Sequence, residues 1–513
     1  MRGVKFLCFF LQFLFTLPTL AQQIQISSDF DSGSLGGWET NNSNEVFLKH
    51  SEQSGGLWYH FQIDQVQGKT ITFVFESVRS DYFGGSNLPA LSYDQVHWKF
   101  IKNRTIEMNP KDPTRVRFSF TYTFSQNQAW IAYTPPYSNP FLDNWLKSIQ
   151  PHPHVTIQNI CETPIRDLPL PAVFITDPTA AISDKRVILL LAREDAYETS
   201  GSWFVQGVGD FLLSEDPVAM ELRKRTLFIL IPIFDRDGVA LGNAIHPLPA
   251  IGRSIFWTET WTEAQYSFFE QRQLKRFLQD WKNQGYHIHG SLRIHSSAWQ
   301  ANTLRPEFVT GASQASQSFI FTEILSKKYF PWYLLQEPQL LETRFSRYVA
   351  DLFSDTVTGY WQSDWIYSNA FQTNFTLYKN PGDLLQEGEL FARAVAEMLE
   401  IQDSNPPPFL LAAEFYEEDA TPMGQFPVHA VYRDLLNRPP QYVQVVVNDT
   451  PYDLAPVDPN HQRYDQGVLY YGFITLDQPN NSHYFITASA SRTRRIPRDS
   501  VQPGPFLVPV VKK

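Results

Sequence analysis

Cysteine is scarce, with two in 513 residues. Cys8 lies in an apolar run at the amino terminus and Cys161 stands alone in the remainder, so no intramolecular disulfide is expected and stability has to come from packing. Positive charge is also short. With 42 Lys and Arg against 53 Asp and Glu, a net charge of -11, the chain lacks the basic surface that a phosphate backbone requires, which argues against a nucleic-acid partner. After the first 21 residues no stretch is long and apolar enough to cross a bilayer as a helix. Internal repeats and low-complexity tracts are missing too.

Aromatic residues are plentiful: 15% of the chain, with 13 Trp. They fill β-sandwich cores, and they also build contact surfaces for peptides or glycans. The chain starts Met1-Arg-Gly-Val-Lys5, continues apolar from Phe6 to Leu17, and reaches Thr19-Leu-Ala21. That pattern predicts a signal peptide over 1–21, cleaved near Ala21, and hence a secreted or periplasmic protein.

Length predicts two to four domains. From Phe30 to Tyr137, period-two segments such as Thr70-Ile-Thr-Phe-Val-Phe-Glu76 and Val116-Arg-Phe-Ser-Phe-Thr-Tyr-Thr-Phe124 predict an antiparallel β-sandwich over 22–150. Strands at Val187, Thr226 and Ser291 alternate with helices at Gly201, Glu263 and Leu384, which predicts an α/β domain over 151–404 with a mixed sheet flanked by helices. Asn405-Pro-Pro-Pro408 reads as a linker. The strands beyond it predict a second β-sandwich over 405–513, immunoglobulin-like or transthyretin-like.

The chemistry gathers at one stretch. Arg186-Val-Ile-Leu-Leu-Leu-Ala-Arg193 is a buried strand, Glu194-Asp-Ala-Tyr-Glu-Thr199 a loop with two carboxylates three apart, and the residues from Ser200 a helix. Together with Asp235-Arg-Asp-Gly-Val239, Gly242-Asn243 and Leu292-Arg-Ile-His295, this stretch resembles the zinc metallocarboxypeptidase family. The resemblance is nearest to the cytosolic carboxypeptidase branch, whose loop reads Ala-Arg-x-His-Pro-Gly-Glu-Thr. The amino-terminal strings Ser28-Asp-Phe-Asp-Ser-Gly-Ser-Leu-Gly36, Trp58-Tyr-His-Phe61 and Pro89-Ala-Leu-Ser-Tyr-Asp94 resemble that branch as well.

The resemblance implies a carboxypeptidase-like fold and a metal held by Asp195, Glu198 and His295, with Asp195 replacing a His. Two carboxylates and one imidazole suit Mn²⁺ or Fe²⁺ better than zinc. Other catalytic positions are substituted. Ile245 stands where the Arg that polarises the scissile carbonyl belongs, and Phe256 and Trp257 where an Asn-Arg pair holds the substrate carboxylate. Tyr378 takes the general-base position; with an ordinary pKa of about 10 it is no base near neutrality. Arg293, one pleat from His295, replaces the branch's usual Asp and is expected to line the former cleft and pair with Asp195 or Glu198. Glu387 and Glu389 are expected to be solvated.

The expectation is therefore a catalytically inactive pseudo-carboxypeptidase whose cleft binds a peptide, protein or glycan. No cofactor is expected unless the altered site works, in which case zinc or another divalent ion is. The alternative is an active metallocarboxypeptidase with an Asp/Glu/His metal site. A third reading is an adhesion protein using its β-modules.

Overall fold

The computed structural model describes residues 23–503 apart from 42–43, 84–87, 246–267, 297–302, 309–320, 336–338, 341–347, 350–351, 354–355, 364, 368–376, 416–424, 477–481 and 498–501. The expected leader, Glu263, Phe256 and Trp257 lie outside the described residues.

Residues 25–132 form two five-stranded sheets. Alternating apolar side chains of both, among them Phe61, Phe73, Phe118, Phe120 and Ile131, meet in one buried cluster. Pairing is mostly antiparallel, but Glu45–Lys49 runs parallel to Thr70–Arg79, a departure from the purely antiparallel arrangement expected.

The central unit begins with helix α1 (Asn139–Ile149), which Ser138 caps by accepting a hydrogen bond from Phe141 N. Its nine-stranded sheet contains β1 (Val155–Glu162), β2 (Pro169–Ile175), β3 (Arg186–Ala192), β4 (Thr226–Ile231), β5 (Gly290–Ser296), β6 (Thr303–Phe308), β7 (Leu334–Leu335), β8 (Gln339–Leu340) and β9 (Val357–Ser363). The order is β1-β2-β4-β3-β5-β9-β6-β7, with β8 beside β6. The inner four strands β4, β3, β5 and β9 are parallel. Helices α2 (Thr199–Leu212), α3 (Pro217–Arg225), α4 (Phe269–Asn283) and α5 (Pro381–Met398) complete the unit.

The apolar run of β3 is explained by burial on both faces. Leu190 and Ala192 join α1, α2 and α5 side chains in one core, while Leu189 and Leu191 join Leu274, Phe277 and Trp281 of α4 in another. Helices α2 and α5 cross closely because of two glycines. A Cβ on Gly207 would lie 2.2 Å from Leu385 O, and one on Gly388 2.3 Å from Phe204 O.

Because β4 and β5 flank β3, consecutive connections depart to opposite sides of it, leaving a crevice beyond the carboxyl ends of β3 and β5. The loop after β3 starts at this switch point.

Beyond Phe409 come a four-stranded and a five-stranded sheet sharing a core that includes Leu410, Val428, Val445 and Ile486. The expected linker is not an exposed tether. Pro406, Pro407 and Pro408 are buried, and the Pro408 carbonyl accepts from Arg494 Nε at 2.9 Å.

Candidate metal centre

Arg193 ends β3 in a left-handed conformation, φ 61°, and turns its buried guanidinium back under the loop. Its Nε donates to Ala196 O at 2.9 Å and its Nη1 to Tyr137 O at 3.0 Å, fastening the loop to the amino-terminal unit. Burial lowers this guanidinium's pKa to about 10, with Asp235 and Glu198 opposing the shift. Glu198 is the N-cap of α2, yet its side chain makes no capping bond. Its carboxylate is thus available to the crevice, at the helix end where the macrodipole favours negative charge.

The structure brings the three predicted ligands together. One donor atom each from Asp195, Glu198 and His295 lie within 4.8 Å of one another. Glu198 and His295 are buried and Asp195 is half-buried. His295 Nδ1 lies 2.8 Å from Glu198 Oε2, and this buried oxygen has no hydrogen-bond partner. A carboxylate oxygen and an imidazole nitrogen facing each other without an aligned hydrogen bond suit a divalent cation that accepts from both. The residues therefore fit a metal, which supplies Lewis-acid polarisation of a ligand oxygen when bound.

Arg293 is fully buried, but its carboxylate partner is neither of those expected. Its Nη1 meets Glu194 Oε2 at 3.3 Å, and the same oxygen lies 3.0 Å from His295 Nε2. The prediction failed because it considered only the carboxylates aligned with metal ligands. The signal for Glu194 is an acid directly beside Asp195 with an Arg two residues before His295.

Two residues expected at substituted catalytic positions, Ile245 and Tyr378, pack against apolar clusters. Ile245 packs against the amino-terminal apolar cluster. Tyr378 is half-buried, its ring 5.5 Å from that of Phe100, and burial raises its hydroxyl further from any basic role. Asp237 holds the loop after β1, accepting from Thr163 Oγ1 at 2.7 Å and Ile165 N at 2.9 Å. Arg236 donates to Asn139 Oδ1 at 2.8 Å, and Asn139 in turn is held by Asp31. The Ser28–Gly36 string thus docks the amino-terminal unit onto α1.

The expected solvation of Glu387 and Glu389 is corrected. Glu387 is fully buried, ion-paired with Lys379 at 2.7 Å and accepting from Tyr333 at 2.8 Å. Glu389 is clamped by Arg393 and Arg494, each at 3.0 Å. Burial alone would raise its pKa, but the two guanidiniums hold it near 2. Both faces of α5 are covered, so its acids can enter only with partners.

The parallel-centred sheet carries the candidate ligand trio at the carboxyl ends of adjacent strands, and its fold is that of known metallocarboxypeptidase structures. A metallo-carboxypeptidase from Burkholderia cenocepacia shares the fold, with a TM-score of 0.60 at 17% identity over 74% of this chain and 99% of that one. The family model described as cytosolic carboxypeptidase N-terminal domain matches residues 26–134. Cytosolic carboxypeptidase 2 of Danio rerio is 26% identical over 212 residues, 36% of this chain and 29% of the relative. Cytosolic carboxypeptidase 6 of Mus musculus is 27% identical over 229 residues, 42% of either chain. The chain is thus similar to cytosolic carboxypeptidases in its amino-terminal domain and part of its α/β unit, and spans less than half the length of these curated relatives.

These relatives overturn the expectation of export. The matching domain model and the curated relatives are named cytosolic carboxypeptidases, which counts against the secreted or periplasmic location expected. Among the described residues no helix is long and apolar enough to cross a membrane.

Proposed function

We propose that this protein no longer hydrolyses peptide bonds, that it keeps a divalent cation at Asp195, Glu198 and His295, and that its former cleft holds a peptide or protein partner. The observation that carries this reading is the fate of Tyr378. The residue in the general-base position is a phenol packed against Phe100, with its pKa raised by burial. Hydrolysis at a metal site needs a base near neutrality, and a phenol does not supply it. Ile245, drawn into the amino-terminal core, supports the same conclusion.

The same reading divides the chain into a sandwich over 22–150, the α/β unit over 151–404 and an immunoglobulin-like or transthyretin-like sandwich over 405–513. Separate buried clusters in the two β-units support this division. Arg293, Phe256 and Trp257 are the proposed contributors to the cleft. An active enzyme is the second reading, and the ligand trio favours it.

Elemental analysis of the purified protein after dialysis against zinc or manganese, followed by titration with peptides bearing a free carboxyl terminus, tests the proposal. About one ion per chain with saturable, non-hydrolytic binding is expected. A chain without metal, or one that releases the terminal residue, contradicts it.

A further inference from the structure

The buried pair beside the ligand trio has a role that the ligand set leaves unassigned. Strands β3 and β5 are adjacent and parallel, with Leu191 opposite Arg293 and Ala192 opposite Ile294. A side chain from the loop after β3 can therefore reach across the end of β5. Glu194 does so: one oxygen meets Arg293 Nη1 at 3.3 Å and His295 Nε2 at 3.0 Å. The side chains of Arg293 and Glu194 are 0% and 7% exposed, so water does little to screen the contact.

Two consequences follow. The carboxylate at Nε2 holds a proton there, so Nδ1 is the nitrogen that an ion, displacing any second proton, would meet. That nitrogen is the one facing Glu198 Oε2 at 2.8 Å. Arg293 meanwhile balances the charge of Glu194, so the negative charge directed at an ion is that of Asp195 and Glu198, matching a divalent cation.

We infer that Glu194, neutralised by Arg293, is the positioning residue for His295. It holds the imidazole with Nε2 protonated and turns Nδ1 toward Asp195 and Glu198. This inference rests on the cation-site reading above.

The test uses the full chain labelled with ¹⁵N-histidine. Long-range proton–nitrogen spectra of the metal-free protein, with His295 assigned by its loss in His295→Gln, report the tautomer, and calorimetry with Zn²⁺ reports affinity. The wild type should carry a proton on Nε2. Glu194→Gln should weaken zinc binding about 10- to 100-fold. Should that variant fail to fold, the double variant Glu194→Leu/Arg293→Met removes both charges together and carries the same expectation, with mixed tautomers at His295. Wild-type tautomer and affinity in the folded variant would overturn the inference, as would an Nδ1–H form in a wild type that binds zinc. An Nε2–H form that needs Glu194, in a wild type that binds no zinc, would instead uphold the positioning and defeat the cation site.

Discussion

His295 Nδ1 lies 2.8 Å from Glu198 Oε2, yet that oxygen has no hydrogen-bond partner. An ion between them gains two ligands without rearrangement of the loop. Replacing His295 by Ala or Glu198 by Gln is therefore expected to weaken divalent-metal binding by at least about 100-fold, and Asp195→His to shift preference toward zinc. Competition titrations of Mn²⁺ against Zn²⁺ measure both; unchanged affinity in His295→Ala would place the ion elsewhere.

Arg393 ties three parts of the chain together. Its guanidinium, 1% exposed, meets Asp216 at 2.8 Å, Glu389 at 3.0 Å and Asp403 at 2.6 Å. Removing it strands buried carboxylates, so Arg393→Ala should cost about 3–5 kcal/mol in urea unfolding. Arg463 pairs with Asp465 at 2.8 Å on the surface, and Arg463→Ala should cost less than about 1 kcal/mol. Equal effects would contradict the burial argument.

The crossing of α2 and α5 leaves no room for a methyl group at Gly207 or Gly388. Gly207→Ala is expected to destabilise by about 1–3 kcal/mol as the helices separate. Thermal unfolding decides this, and a neutral result would mean the helices part freely.

Acid should weaken the fold in two stages. Burial lowers the pKa of His60 and of His429 from 6.5 to about 3. The unfolded chain takes up those protons first, so stability is full above pH 6.5 and falls as the pH drops toward 3. The loss is about 2 kcal/mol per histidine by pH 5. Glu389, held near 2 against an ordinary 4.5, adds a loss as pH falls from 4.5 to 2. Unfolding midpoints between pH 8 and 4 should slope downward, less steeply in His60→Asn. A flat profile would contradict the neutral buried histidines.

Features that repeat with a strand or helix period were readable from the chain, whereas the candidate ligand trio came from the family resemblance. The run Val187 to Ala192 had to be a doubly covered strand, and Asp195, Glu198 and His295, which the family resemblance put together, lie close in the structure. Residues whose role is set by tertiary partners were not readable. Glu387 looked solvated because nothing local shows that Lys379, Trp332 and Tyr333 surround it. Asp237 and Arg236 sit in a string that carries the family resemblance, and they serve loop and domain docking, with contacts more than 60 residues away in sequence. Glu194 was overlooked for the same reason, since its partners arrive about a hundred residues later.

The most direct test of the central claim is release of carboxyl-terminal residues from peptides by the metal-loaded protein at neutral pH. The account predicts no release above that of buffer, in wild type and His295→Ala alike. Turnover by the wild type that disappears in His295→Ala would contradict it and establish an active carboxypeptidase.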